Sequence, residues 1–150
     1  MARRPHSGAG VVVIGAMAAA TALAAVGRTE VLAQEGATSA GVFTEEQAAR
    51  GKDAYGRECA ACHLEDMLGD GIAPPLIGVP FSFRWADLTL GAMFEAIRAT
   101  MPQGAPASLS PQSYVDIIAY MLDANEYPTG EVELPVDDAA LQQIVVDDKQ

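Results

Sequence analysis

Cys59, Cys62 and His63 stand together in the stretch "CAACH", and they include both cysteines and one of the two histidines of the 150-residue chain. Two thiols three positions apart with an adjoining imidazole can serve three chemistries. They can exchange thiol for disulfide, supply part of a zinc site, or bond to the vinyl groups of a haem while the histidine meets its iron. A redox pair of this spacing belongs at a strand-to-helix turn, and no stretch of the chain alternates as a half-buried strand. A disulfide across two residues is strained and closes almost no loop. A structural zinc ion needs four ligands, so the supply of further histidines decides the matter.

That supply is set by the N-terminus. Arg3 and Arg4 precede an apolar run over residues 11–26, and small residues lead to Gln34. This is the pattern of a secretory signal peptide, cut after Ala33; the alternative is an uncleaved anchor, since residues 8–27 are about long enough to span a bilayer. Cleavage leaves 117 residues and removes His6, so His63 becomes the only histidine and zinc lacks a fourth ligand. Haem attachment remains, with Cys59 and Cys62 as thioethers and His63 as the proximal iron ligand. The location implied is periplasmic, and contact with a membrane arises only if the leader is retained.

The organisation read from the chain is a leader over 1–33, a main domain over 34–127 and an acidic extension over 128–150 that packs on the domain or docks from it. Beyond Ala33 there are six Lys and Arg against nineteen Asp and Glu, a net charge of −13. Such a domain has no basic patch for nucleic acid. Its field favours partners with a basic docking face.

The elements that must hold the motif read as helices. Thr44 and Gln47 form a capping-box pattern opening a helix that runs into Cys59. The segment "LEDMLGDGIAPPLIGVP" is loop, with Pro74, Pro75 and Pro80 setting an extended path. A second helix is expected from Asp87 as N-cap to Ala99 or Thr100. A third begins at Ser110 and Pro111 and ends near Asn125, with a weak turn around 141–146. The fold class is all-α: three to four short helices joined by long loops. So little core calls for something large in the middle, and one covalent haem would fill it.

The opposite face of the iron needs a second ligand. Met67 is too close to His63 along the chain, while Met93 and Met121 fall on apolar helix faces where methionine usually fills core. Met101 leaves the second helix in the loop "TMPQGAPASLS" and is the candidate thioether.

Taken together, "GKDAYGRECAACH", "APPLIG" and "MPQGAPASLSPQSYVDIIAYML" resemble the class I (monohaem) cytochromes c of bacteria, from about Thr44 to Asn125. The resemblance implies the cytochrome c fold, and a Gly51–Tyr55 pair packed against Ile117 and Tyr120. It also implies a Pro74 carbonyl accepting a hydrogen bond from His63, and Met101 as axial ligand. The tail resembles extensions of cytochromes that accompany periplasmic quinoprotein and related dehydrogenases. Arg84 and Trp85 carry donors suited to haem propionates; Trp85 is equally suited to core packing. The function implied is one-electron transfer between a periplasmic dehydrogenase and a terminal acceptor, by a protein that is not itself an enzyme. The alternatives are a tightly bound subunit of a dehydrogenase or oxidase, and a haem-based ligand sensor.

Overall fold

The computed structural model describes Met1 and residues 36–147; the expected leader and its cut after Ala33 lie outside the described residues. Among those residues no helix is long and apolar enough to cross a membrane.

Helix α1 spans Glu45–Glu58, and Thr44 Oγ1 accepts from the Gln47 amide at 3.1 Å, satisfying one donor that a helix start leaves open. The Gln47 side chain does not complete the reciprocal capping box. It is fully buried, its Oε1 accepts from the Leu134 amide at 2.7 Å, and its Nε2 donates to the Leu134 carbonyl at 3.1 Å. A motif that reads as local in the sequence is therefore a long-range clamp.

A single turn, α2 (Ala60–His63), follows Cys59. Helix α3 spans Val79–Trp85 where the sequence reading placed the end of an extended loop and a connector. Pro80 sits in its first turn, where the missing N–H of proline costs nothing. Helix α4 spans Leu90–Thr100 and is capped by Thr89, whose Oγ1 accepts from the Ala92 amide at 3.1 Å. The expected cap, Asp87, instead adopts φ +65 and donates its amide to the Val146 carbonyl. Helix α5 spans Pro111–Ala124, with Ser110 Oγ accepting from the Ser113 amide.

Helices α1 and α5 form the principal packed pair. They approach closely because Gly51 has no side chain: a Cβ there would lie 1.8 Å from the Asp116 carbonyl oxygen and 2.9 Å from Tyr120 Cβ. One turn along, Tyr55 and Tyr120 meet edge to face with centroids 5.5 Å apart. The backbone meeting Gly51 is that of Asp116, while Ile117 is buried in the core.

Residues beyond Pro128 complete this core. They form α6 (Asp138–Leu141) and β2 (Ile144–Val145), and β2 pairs in parallel with β1 (Gly36–Ala37), Gly36 facing Ile144. No strand was expected, and a two-residue pair is too short to leave an alternating pattern. Leu134, Leu141, Ile144 and Val146 are all buried. Asp147 accepts from Thr38 Oγ1 at 2.8 Å, from the Ser39 amide at 2.9 Å and from Ser39 Oγ. Desolvation pushes its carboxyl up, but the hydrogen bonds from Ser39 and Thr38 outweigh it and hold the pKa below the usual value. Arg50 ties the extension to α5, pairing with Asp116 at 3.2 Å and Glu133 at 2.7 Å. The described fold is all-α apart from that short strand pair: six helices, two of them single turns.

Candidate functional site

The CAACH segment continues α1 into α2. The Cys59 amide donates to the Tyr55 carbonyl at 2.8 Å, and the Cys59 carbonyl accepts from the amides of Cys62 and His63 at 3.1 and 3.0 Å. Packing of α1 on α5 therefore sets where this turn points. Cys59 is half-buried against the core and Cys62 is exposed, both as free thiols. Burial, with a smaller contribution from Glu58, pushes the Cys59 thiol up to about 11. A thioether sulfur at this position does not titrate, so the shift belongs to the unattached thiol.

His63 is buried at 7% exposure, and its Nδ1 lies 2.9 Å from the Pro74 carbonyl oxygen. A carbonyl only accepts, so Nδ1 is the donor and carries a ring proton. Among the described residues Nε2 has no hydrogen-bond partner.

The loop carrying Pro74 is held from several sides. The Gly69 amide donates to the His63 carbonyl at 3.0 Å and the Leu76 amide to the Met67 carbonyl at 2.8 Å. Gly69 is at φ +70, and a Cβ there would lie 2.2 Å from the Ala73 carbonyl oxygen, so glycine is required. Asp70 Oδ1 accepts from the amides of Ala73 and Ile72 at 2.8 and 2.9 Å, and those bonds hold its carboxyl below the usual carboxylate value. Tyr55 OH donates to the Leu64 carbonyl at 2.7 Å, and burial pushes its phenol up, which keeps it a donor. Asn125, at the end of α5, donates to the Leu76 carbonyl at 3.0 Å and accepts from the Gly78 amide at 2.8 Å.

Met101 caps the C-terminus of α4 and is partly exposed, with its amide donating to the Ile97 carbonyl at 2.7 Å. Its carbonyl accepts from Tyr114 OH at 2.8 Å. Among the described residues no hydrogen bond joins the Met101 loop to the CAACH turn; α5 links them, packing on α1 and carrying Tyr114. Met67, Met93 and Met121 are buried at 2% exposure or less. On α3 the Arg84 guanidinium stacks 4.7 Å above the Trp85 ring. Trp85 is buried at 8% exposure, and its indole N–H has no acceptor among the described residues.

Three supports of the site went unread in the sequence: the hydroxyls of Tyr55 and Tyr114, and Asn125. The available signal was that a buried phenol needs an acceptor, although no pattern identifies which carbonyl it reaches.

Among the described residues no three His, Cys, Asp or Glu side chains converge as a metal site. The residues do fit a covalently attached haem. A buried imidazole is fixed at Nδ1 with Nε2 left unpartnered, two thiols lie on the same turn, and a buried indole N–H lacks an acceptor.

Comparison with known proteins agrees. Residues 46–121, half of the chain, match the family described as cytochrome c oxidase, cbb3-type, subunit III. The chain is 39% identical over 87 residues to a thiosulfate dehydrogenase of Thiomonas intermedia (strain K12), a match covering 53% of this chain and 27% of that protein. It thus spans about a quarter of the length of that curated relative. No solved structure matches. The chain belongs to this cytochrome family: it is a c-type cytochrome of all-α fold, an electron-transfer protein with covalently bound haem c.

Proposed function

We propose that this cytochrome is a His/Met-ligated one-electron carrier working between a periplasmic dehydrogenase and a terminal acceptor. The observation that carries the reading is the bond from His63 Nδ1 to Pro74 at 2.9 Å, which leaves Nε2 free to ligate. Bound haem supplies one-electron exchange at its iron. Cys59 and Cys62 would tether it, His63 and Met101 would ligate its iron, and Arg84 and Trp85 would donate to its propionates. Pro74 sets the imidazole plane and raises its basicity, as a partner on the outer nitrogen does for metal-bound histidines. Imidazole and thioether ligation together would raise the potential, which favours electron transfer over ligand chemistry.

Residues 1–33 act as the export signal, residues 34–127 as the haem domain and residues 128–150 as a closing belt. The belt reading is supported by the burial of Leu134, Leu141, Ile144 and Val146, which anchors the segment on the core. The partner has a basic docking face, complementary to the net charge of −13 beyond Ala33. Its complex is short-lived and weakened by salt.

Reduced holo-protein exposed to carbon monoxide tests the function. An electron carrier keeps its visible spectrum unchanged and titrates as a single one-electron step. Ready carbon monoxide binding by the wild type would instead place a ligand sensor first. A second reading, a tightly held subunit of a larger redox enzyme, is favoured by the greater length of the thiosulfate dehydrogenase relative. Co-purification with a larger protein that survives high salt would support that reading against the shuttle.

A further inference from the structure

We propose that Tyr114 is a positioning residue for the Met101 thioether, its hydroxyl holding the ligand-bearing loop against α5. The inference rests on Met101 as axial ligand and goes beyond it by naming what keeps the methionine in place. Tyr114 is buried at 1% exposure, and its OH donates to the carbonyl of Met101 itself, at 2.8 Å. Its ring stands edge-on to Phe94 of α4, with centroids 6.1 Å apart and an interplanar angle of 86°. The tyrosine thus spans two elements: α4 fixes its ring, and its hydroxyl fixes the residue where α4 ends. The other bonds on the loop are all local to α4 and its return. The Met101 amide reaches the Ile97 carbonyl, the Ala105 amide the Pro102 carbonyl, and the Ala107 amide the Arg98 carbonyl. Among the described residues, the Tyr114 hydroxyl makes the hydrogen bond that anchors this segment to another helix.

A buried phenol with any convenient acceptor would serve packing alone. Here the acceptor is the backbone of residue 101, whose side chain is partly exposed rather than sunk in the core. Thioether sulfur is a weak, neutral donor, so its hold on iron depends on how little freedom is lost when it binds. A loop already bonded to α5 loses less. Displacing Met101 from iron then requires either breaking the Tyr114 bond or straining the loop around it, and an exogenous ligand must compete against that restraint.

Imidazole titration of the oxidised holo-protein, followed by its visible spectrum, measures the restraint. Tyr114→Phe keeps the ring and removes the hydroxyl. Its apparent imidazole affinity should rise about fivefold, the equivalent of one net hydrogen bond. Tyr127→Phe removes another buried hydroxyl, one that bonds the Asp147 carbonyl in the C-terminal extension, so it should lose comparable stability and bind imidazole as the wild type does. Met101→Ala should bind far more tightly, and adding Tyr114→Phe to it should change nothing further, since the restraint acts only through the methionine. Wild-type affinity in Tyr114→Phe, or an effect of Tyr114→Phe that persists without Met101, overturns the positioning role while leaving the ligation intact. Wild-type affinity in Met101→Ala overturns the ligation itself and the positioning role with it.

Discussion

Replacing Gly51 and Gly56 with alanine, one at a time, should change stability in opposite directions although both lie in α1. Alanine in a helix interior is favoured over glycine by about 0.5–1 kcal/mol. At Gly56 nothing lies within 4 Å of the new Cβ, so the full gain should appear. At Gly51 the Cβ would sit 1.8 Å from the Asp116 carbonyl oxygen, and ordinary contact begins at 3.4 Å. Relief requires α1 and α5 to separate by about 1.6 Å at this contact. Neither neighbour yields cheaply, since one is helix backbone and the other the Cβ of Tyr120. Overpacking of this kind costs about 1–3 kcal/mol, which exceeds the propensity gain and leaves a net loss of about 1–2 kcal/mol. Urea unfolding of the holo-protein, with midpoints compared at unchanged slope, should place Gly51→Ala below wild type and Gly56→Ala above it. Because α1 carries the CAACH turn at its end, Gly51→Ala should also disturb the haem spectrum where Gly56→Ala does not. A Gly51→Ala midpoint at or above wild type would refute the close α1–α5 contact on which the placement of the site depends.

The other predictions follow from the clamps on the extension. Gln47→Ala strands the amide and carbonyl of buried Leu134, and at about 1–3 kcal/mol per unsatisfied group it should lower stability by about 2–6 kcal/mol. Loss of amide exchange protection at Leu134 should accompany it. Arg50→Ala leaves the Asp116 carboxylate, at 8% side-chain exposure, with Gln112 as its remaining side-chain partner, and should cost about 1–2 kcal/mol. Glu133→Ala breaks a pair exposed by more than 40% on both sides and should cost under about 0.5 kcal/mol by the same unfolding assay. Asp147 has a folded pKa below its ordinary value of 3.8, so its contribution is complete above that value and fades as pH falls through the lower folded one. Asp147→Asn should therefore flatten the acid limb of a stability–pH curve below about pH 3.8 and leave its neutral shape unchanged.

The sequence was most legible where function is local. Cys59, Cys62 and His63 are adjacent, their chemistry is narrow, and the composition removed the competing ligands. The caps of α1 and α5 were legible for the same reason, since Thr44 and Ser110 bond three residues ahead. What escaped depends on distant partners or on single turns. Gln47 carried a capping signature, yet its amide serves Leu134, 87 positions away. Asp87 and Thr89 are both competent caps, and the choice between them is made by Val146, which draws the Asp87 amide out of the helix path. Pro80 suggested an extended chain because proline suits a loop as well as the first turn of α3. Asn125 marked only a helix end, whereas its side chain ties the loop after Pro74 to α5.

The central claim is that one imidazole and one thioether, His63 and Met101, hold the iron. The near-infrared magnetic circular dichroism of the oxidised holo-protein reads that ligand pair directly, since its charge-transfer band depends on the two axial donors. The account predicts a low-spin histidine–methionine band in the wild type that disappears in Met101→Ala and persists in Met67→Leu. A high-spin spectrum, or a band from another ligand pair that Met101→Ala leaves in place, would contradict it.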